Sequence, residues 1–329
     1  MNLSELKQIL ASKFDFEVWK PILETMFLKI DYLSKEIEID ASLVKNGGQV
    51  GTIRLDDGRS LGLFKFEVAD NIKIARNRKG LRDIAIKYVD QDIIHGALVF
   101  YYSNQQADYR LTFVSKQTSL NASGELETKV TAPKRYTFLL GENEPCTTAS
   151  IRLYELIKKQ TVYLTDVTDA FSVERLNKDF FKGYKEQYFH FLYYIGEKSK
   201  DNRDYVKKLL GRLVFLQFLQ KKGWMGVPVN NKKWEGGDKA YLSHLIERYK
   251  GNDRLLSDVL EPLFFNTLNE RRDNDIADSR LGENIKIPYL NGGLFDKDNF
   301  DKKDIDFPYD YFKELMDFFA MYNFTIDEN

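Results

Sequence analysis

The stretch TIRLDDGRSLGLFKFEV, residues 52–68, sets two apolar or β-branched runs on either side of Asp56-Asp57-Gly58-Arg59. Acidic residues followed by glycine supply the backbone angles of a tight hairpin turn. Thr52–Leu55 and Leu61–Val68 therefore predict the two arms of a β-hairpin. Period-two alternation along the second arm puts Leu63, Lys65, Glu67 and Ala69 on one face and Phe64, Phe66 and Val68 on the other. A charged pair on so apolar a strand calls for a chemical explanation.

Working outward, Phe16, Trp19, Ile22, Leu23, Met26 and Phe27 recur at helical spacing ahead of the hairpin, and Lys35–Asp40 alternates like a strand. Beyond it, Asn77–Val89 reads as a helix. Ala97–Tyr102, Tyr109–Lys116 and Arg135–Leu140 read as strands, and the polar stretch Ser119–Lys129 as a solvated loop. Near Asp169 the pattern changes. Phe180, Phe181, Tyr184, Tyr188, Phe189 and Leu192 repeat at helical spacing, as do Tyr205, Leu209, Leu213, Phe215, Leu216 and Leu219. Tyr241–Tyr249 and Arg254–Asn269 continue the series. The expectation is an α/β domain over residues 1–165, a mixed sheet with flanking helices, followed by a mainly α-helical domain over 166–329.

Composition narrows the function classes. The 329 residues include 43% hydrophobic side chains, with 24 Phe and 19 Tyr but only 7 Pro, which excludes a disordered or fibrous chain. Lys and Arg number 49 against 50 acidic residues. A chain so balanced cannot bind nucleic acid through blanket phosphate neutralisation and needs a local patch. Cys146 stands alone, so no disulfide or cysteine-based zinc site forms within one chain. Charges interrupt the N-terminal apolar pattern and no long uncharged apolar run occurs. The expectation is a cytoplasmic protein with neither signal peptide nor membrane span.

The charged strand suggests metal-dependent phosphodiester hydrolysis. Nucleases of the PD-(D/E)XK class hold divalent metal between an aspartate and a glutamate on neighbouring strands, with a lysine two residues after the glutamate. Here Asp57 and Glu67 are the candidate Mg²⁺ ligands. Ala69 stands at the usual lysine position, and Lys65, on the same face as Glu67, is the candidate replacement. The constellation requires the chain to turn near Ser60–Gly62. If the turn is Asp56–Arg59, Glu67 lies roughly 25 Å from Asp57 at ~3.3 Å per residue, and the aspartates serve turn geometry instead.

Directly after the acidic strand come Lys73, Arg76, Arg78, Lys79 and Arg82, candidate contacts to DNA phosphates at the start of a helix. A solvated charged face is the alternative. His95, His190 and His244 are far apart and show no ligand spacing. Asn291-Gly292-Gly293 lacks the lysine and hydroxyl of a phosphate loop and reads as a tight turn. Trp224 and Trp234 sit among Gly and Lys, a setting shared by packed loops, the commoner case, and base-stacking sites.

Several phrases resemble the N-terminal region of type IIG restriction–modification enzymes. They are FEVADNIKIARNRKGLR (66–82), ALVFYYS (97–103), YRLTFVSK (109–116) and RYTFLLGENEPCTTASIRLYEL (135–156). In the helical half they are FSVERLNKDFFKGYKEQY (171–188), RLVFLQFLQKKGWMGVP (212–228) and IPYLNGGLF (287–295). The resemblance implies a single-chain bacterial defence enzyme against phage. A PD-(D/E)XK nuclease domain that cuts double-stranded DNA with Mg²⁺ is joined by a helical connector to an adenine-specific methyltransferase and a target-recognition domain. The family's acids map onto Asp57 and Glu67, and Ala69 departs from its pattern. YNFTIDEN (322–329) is the phrase that leads into the methyltransferase, so S-adenosylmethionine is expected only beyond this chain. The second expectation is a catalytically inactive module that binds DNA or scaffolds the methyltransferase.

Overall fold

The computed structural model describes residues 1–38, 43–75, 77, 80–81, 83–84, 95–120, 126–130, 136–290, 292–322 and 324. The chain divides into two compact units, Met1–Lys178 and Asp179–Asn329.

The first unit is built on the hairpin. After helices α1 (Leu3–Leu10) and α2 (Phe16–Met26) come β1 (Ile30–Glu38), β2 (Val44–Arg54) and β3 (Ser60–Val68), each antiparallel to the next. β3 then pairs in parallel with β4 (Gly96–Tyr102), which is antiparallel to β5 (Asp108–Leu120). The first half of β5 pairs with β7 (Thr137–Gly141) and its far end with β6 (Leu126–Val130). The parallel pairing of β3 with β4 makes the sheet mixed, and residues 69–95 form its crossover. Gly80, Leu81, Asp83 and Ile84 within it are helical.

Both faces of this sheet are buried, which is why its central strands are nearly continuous apolar runs. On one face Ile53, Leu61, Leu63, Leu98, Phe100 and Phe113 pack under α1 and α2, with α3 (Thr147–Ile157) and α4 (Leu164–Phe171). On the other, Phe64, Phe66, Val68, Val99 and Tyr101 pack against Ile74, Leu81 and Ile84. The period-two assignment of β3 thus holds residue by residue.

Ser119–Lys129 corrects the expected loop. Lys116–Leu120 and Leu126–Val130 pair in register, Leu120 opposite Leu126, as the two arms of a hairpin. The run has too few apolar residues to announce strands.

α2 is fixed to the sheet by Trp19. Its indole N–H donates to the Tyr109 hydroxyl at 3.1 Å, and the Tyr109 hydroxyl donates to the Leu10 carbonyl at 3.4 Å. Both side chains are buried. Tyr109→Phe leaves the indole donor without a partner, so it should cost about 1–3 kcal/mol in urea denaturation. An unchanged midpoint would show that the bond contributes nothing.

The second unit is helical apart from a two-stranded ribbon, β8 (Val227–Pro228) with β9 (Ile285–Lys286). α5 (Val173–Ile195) runs into it, followed by α6 (Lys200–Lys221), α7 (Tyr241–Arg248) and α8 (Tyr309–Ala320). Leu256–Leu260 and Pro262–Leu268 are helical but π-wound, with Pro262, which has no N–H to donate, at their junction. Leu209, Leu213, Leu216, Leu245, Leu260, Phe264, Phe312 and Leu315 form the core. Among the described residues no helix is long and apolar enough to cross a membrane.

Candidate functional site

The hairpin turns at Asp56–Arg59, not at Ser60–Gly62. Arg54 pairs with Ser60 across it, and the Leu55 amide donates to the Arg59 carbonyl at 2.8 Å. β3 then runs unbroken to Val68, with Glu67 opposite Asn46. Seven residues of strand at ~3.3 Å each put Glu67 roughly 23 Å beyond Ser60. The structure does not bring Asp57 to Glu67, and the pair expected to share a Mg²⁺ ion is not formed.

Both aspartates of the turn hold the chain entering α4 instead. Asp56 accepts from the Val162 amide at 2.8 Å. Asp57 accepts from the Arg59 amide at 3.2 Å and from the Leu164 amide, the first of α4, at 3.0 Å. A carboxylate on an otherwise unpaired helix N-terminal N–H is a favourable cap. The turn acids are architectural.

Lys65 and Glu67, by contrast, are half-exposed on a strand whose other residues are almost all buried. They continue the Leu61, Leu63 row toward the first residue of α2, Phe16. Gly47, at φ +123°, explains part of the setting: a Cβ there would stand 2.3 Å from the Lys65 carbonyl. Only glycine lets β2 press this closely against β3.

Around the pair, four groups converge. Glu67 accepts from the Asn46 side-chain amide at 3.0 Å and from that of Asn104 at 2.9 Å. The Lys65 ammonium is 3.3 Å from one oxygen of Glu36 and lies over the Phe16 ring at 5.6 Å. Glu36 comes from a bulge in β1, where the register slips between Tyr32 and Ile37. Its second oxygen is buried and has no hydrogen-bond partner. The Tyr102 phenol is pushed up by its burial and then by the charges of Glu67 and Glu36, so it feels both carboxylates. Sequence reasoning missed Glu36, Asn46 and Asn104. Only the bulge in β1 and the pairing of β3 with β2 and β4 reveal them.

This end of the sheet suggests phosphate chemistry. The chain is similar to a restriction–modification protein. Over 181 residues it is 28% identical to a Methanocaldococcus jannaschii protein named "Putative type II restriction enzyme and methyltransferase". The match takes in 53% of this chain and 14% of that relative, so the chain spans only a small part of the relative's length. No family model and no solved structure matches.

Of the basic cluster, Lys73 is exposed in a segment tied down from β5 and the turn before it. The Gln106 side chain pairs with the Ile72 carbonyl and the Ile74 amide at 2.8 and 3.1 Å, and buried Arg110 donates to the Ile74 carbonyl. Arg76, Arg78, Lys79 and Arg82 lie outside the described residues. The histidines are scattered: His95 accepts from the Ser60 amide, His190 stacks on Tyr311 and His244 pairs with Asp238. Among the described residues no three His, Cys, Asp or Glu side chains are grouped to hold a metal.

Proposed function

We propose that this chain is part of a type IIG restriction–modification enzyme and that its α/β unit cuts double-stranded DNA in a Mg²⁺-dependent reaction at Glu67, Lys65 and Glu36. The carrying observation is that Lys65 and Glu67 stand half-exposed on one face of β3, with Glu36 reaching Lys65 from β1. The likeness to a protein named as restriction enzyme and methyltransferase supports the same reading. Glu36 takes the place first expected of Asp57.

Mg²⁺ takes one or two protein carboxylates and fills the rest of its octahedron with water and phosphate oxygens. Two glutamates therefore suffice. The buried, unpartnered oxygen of Glu36 is a group such an ion would satisfy. Glu67 and Glu36 would hold the ion. When bound, it supplies Lewis acidity to the scissile phosphate and the attacking water. Asn46 and Asn104 fix the Glu67 carboxylate through one amide on each oxygen. Lys65 places a cation where charge develops on the phosphate, the role vacated at Ala69. Lys73 and the arginines that follow it would hold the DNA backbone. Methyl transfer from S-adenosylmethionine would belong to another part of the protein.

A DNA-binding scaffold without cleavage is the second reading. It is favoured by Asn46, an amide rather than an acid directly opposite Glu67. Cleavage of duplex DNA by the full-length enzyme, with Mg²⁺ and then with chelator, separates the two. We expect cleavage that the chelator abolishes, and its loss in Glu36→Gln with methylation retained. No cleavage by the unmodified enzyme on an unmethylated substrate would select the scaffold.

A further inference from the structure

The second unit carries a lysine-rich, braced segment that the cleavage reading does not use. Residues 221–239 hold five lysines against two acids, in a chain whose net charge is −1. This stretch is folded rather than loose. The Gly237 amide donates to the Gly223 carbonyl at 3.0 Å and the Asp238 amide to the Met225 carbonyl at 2.9 Å. A Cβ on Gly237 would stand 2.4 Å from the Met225 carbonyl, so the two ends of the stretch are laid against each other. Between them, the Asn231 side chain bridges the Glu235 carbonyl and the Lys233 amide, and Val227 pairs with Lys286 of β9.

Lys286 is the telling residue. It is only 8% exposed, yet its ammonium has no carboxylate or hydrogen-bond partner among the described residues and lies over the Trp234 ring at 4.6 Å. The covered stem holds the ammonium over the ring, and the cation–π contact supplies no counter-charge, so Lys286 is open to an anion that reaches it. Lys232 and Lys233, exposed and unpaired among the described residues, immediately precede Trp234. Lys222 repeats the arrangement over Trp224 at 4.7 Å. Ammonium groups set on aromatic rings in a braced loop suit a chain of phosphates.

Resting on the restriction–modification reading, we propose that Lys286, with Lys232, Lys233 and Lys222 around Trp234 and Trp224, binds the phosphate backbone of duplex DNA. The helical unit is then a DNA-contacting element in its own right.

The test is anisotropy of a labelled duplex with the 329-residue chain over a salt series starting at about 50 mM, where phosphate neutralisation weighs most. Lys232→Ala/Lys233→Ala/Lys286→Met should weaken binding about tenfold or more and flatten the log–log salt dependence by roughly 0.9 for each phosphate no longer neutralised. Lys232→Ala/Lys233→Ala alone changes only exposed groups and should flatten it by roughly 1.8 on the same basis, which covers any misfolding of the triple variant. Lys286→Arg should bind like the unmodified chain. Unchanged affinity and slope in both alanine variants would overturn the site, whether or not an acidic protein surface then proved to bind there, while leaving Glu67-dependent cleavage standing. An unmodified chain that binds no duplex at the lowest salt would overturn the site as well. Cleavage by the full-length enzyme reports on the nuclease reading separately.

Discussion

On the proposed cleavage reading, Glu67→Gln in the full-length protein is expected to lower Mg²⁺-dependent cleavage by about two orders of magnitude or more, while Asp57→Ala spares it. The substitution keeps the size of Glu67 and its place beside Asn46 and Asn104, but removes the negative charge that a divalent ion and the reacting phosphate would need. Methylation should be unaffected. Asp57→Ala removes a cap on α4 and part of the turn, which costs about 1 kcal/mol, visible as a lowered melting temperature. Below that temperature cleavage should persist. The two variants thus separate an acid acting on substrate from one acting on the fold. Loss of cleavage in folded Asp57→Ala with activity retained in Glu67→Gln would place the chemistry elsewhere.

The reason Asp57 looked like a partner of Glu67 but does not lie beside it is found in what a sequence can encode locally. Alternation along Leu61–Val68 is a two-residue property, and it located Lys65 and Glu67 correctly on one face. The turn at Asp56-Asp57-Gly58-Arg59 was equally legible, because acid–acid–glycine has a backbone meaning of its own. Those two facts already conflicted with an Asp57–Glu67 pair, and register decides against it. Arg54 faces Ser60, so every further residue of β3 moves away from the turn.

Partners brought in from other strands were not legible. Glu36 reaches Lys65 only because β1 bulges between Tyr32 and Ile37, and bulges have no strict residue signature. Asn46 is an ordinary polar residue until pairing sets it opposite Glu67. Lys286 and Trp234 stand 52 positions apart in the chain, and only the β8–β9 ribbon brings them together. The change to helices near Asp169, in contrast, is a property of long apolar stripes. Such stripes survive any tertiary detail, and the second unit is helical as they imply.

In that unit Arg212→Met should be the most destabilising single change, at about 3–5 kcal/mol in denaturant unfolding. Arg212 is 2% exposed and binds Asp301 through two nitrogens at 2.6 and 2.9 Å. It also donates to the Leu294 and Asp296 carbonyls at 2.8 and 3.1 Å, so it ties the Leu294–Asp296 segment to α6. Burial alone would raise the Asp301 carboxyl. The Arg212 hydrogen bonds, the Asp298 amide and the charges of Arg212 and Lys208 outweigh it and hold the carboxyl at about 2, down from an ordinary 3.8. A depressed carboxyl contributes stability in full above its unfolded pKa and loses it as pH falls through the folded one. About 2 kcal/mol should therefore disappear between pH ~4 and ~2, and Asp301→Asn should flatten that limb. Lys208, 3.1 Å from Asp301, remains in Arg212→Met and places the cost toward the lower end of the range. Adding Asp301→Leu removes the stranded charge and should restore part of the loss. The restoration stays incomplete, because the Leu294 and Asp296 carbonyls still lack their donor. A cost below about 1 kcal/mol for Arg212→Met would mean that water replaces the guanidinium, and that the Leu294–Asp296 segment is held by Phe295, buried against Phe264, rather than by the ion pair.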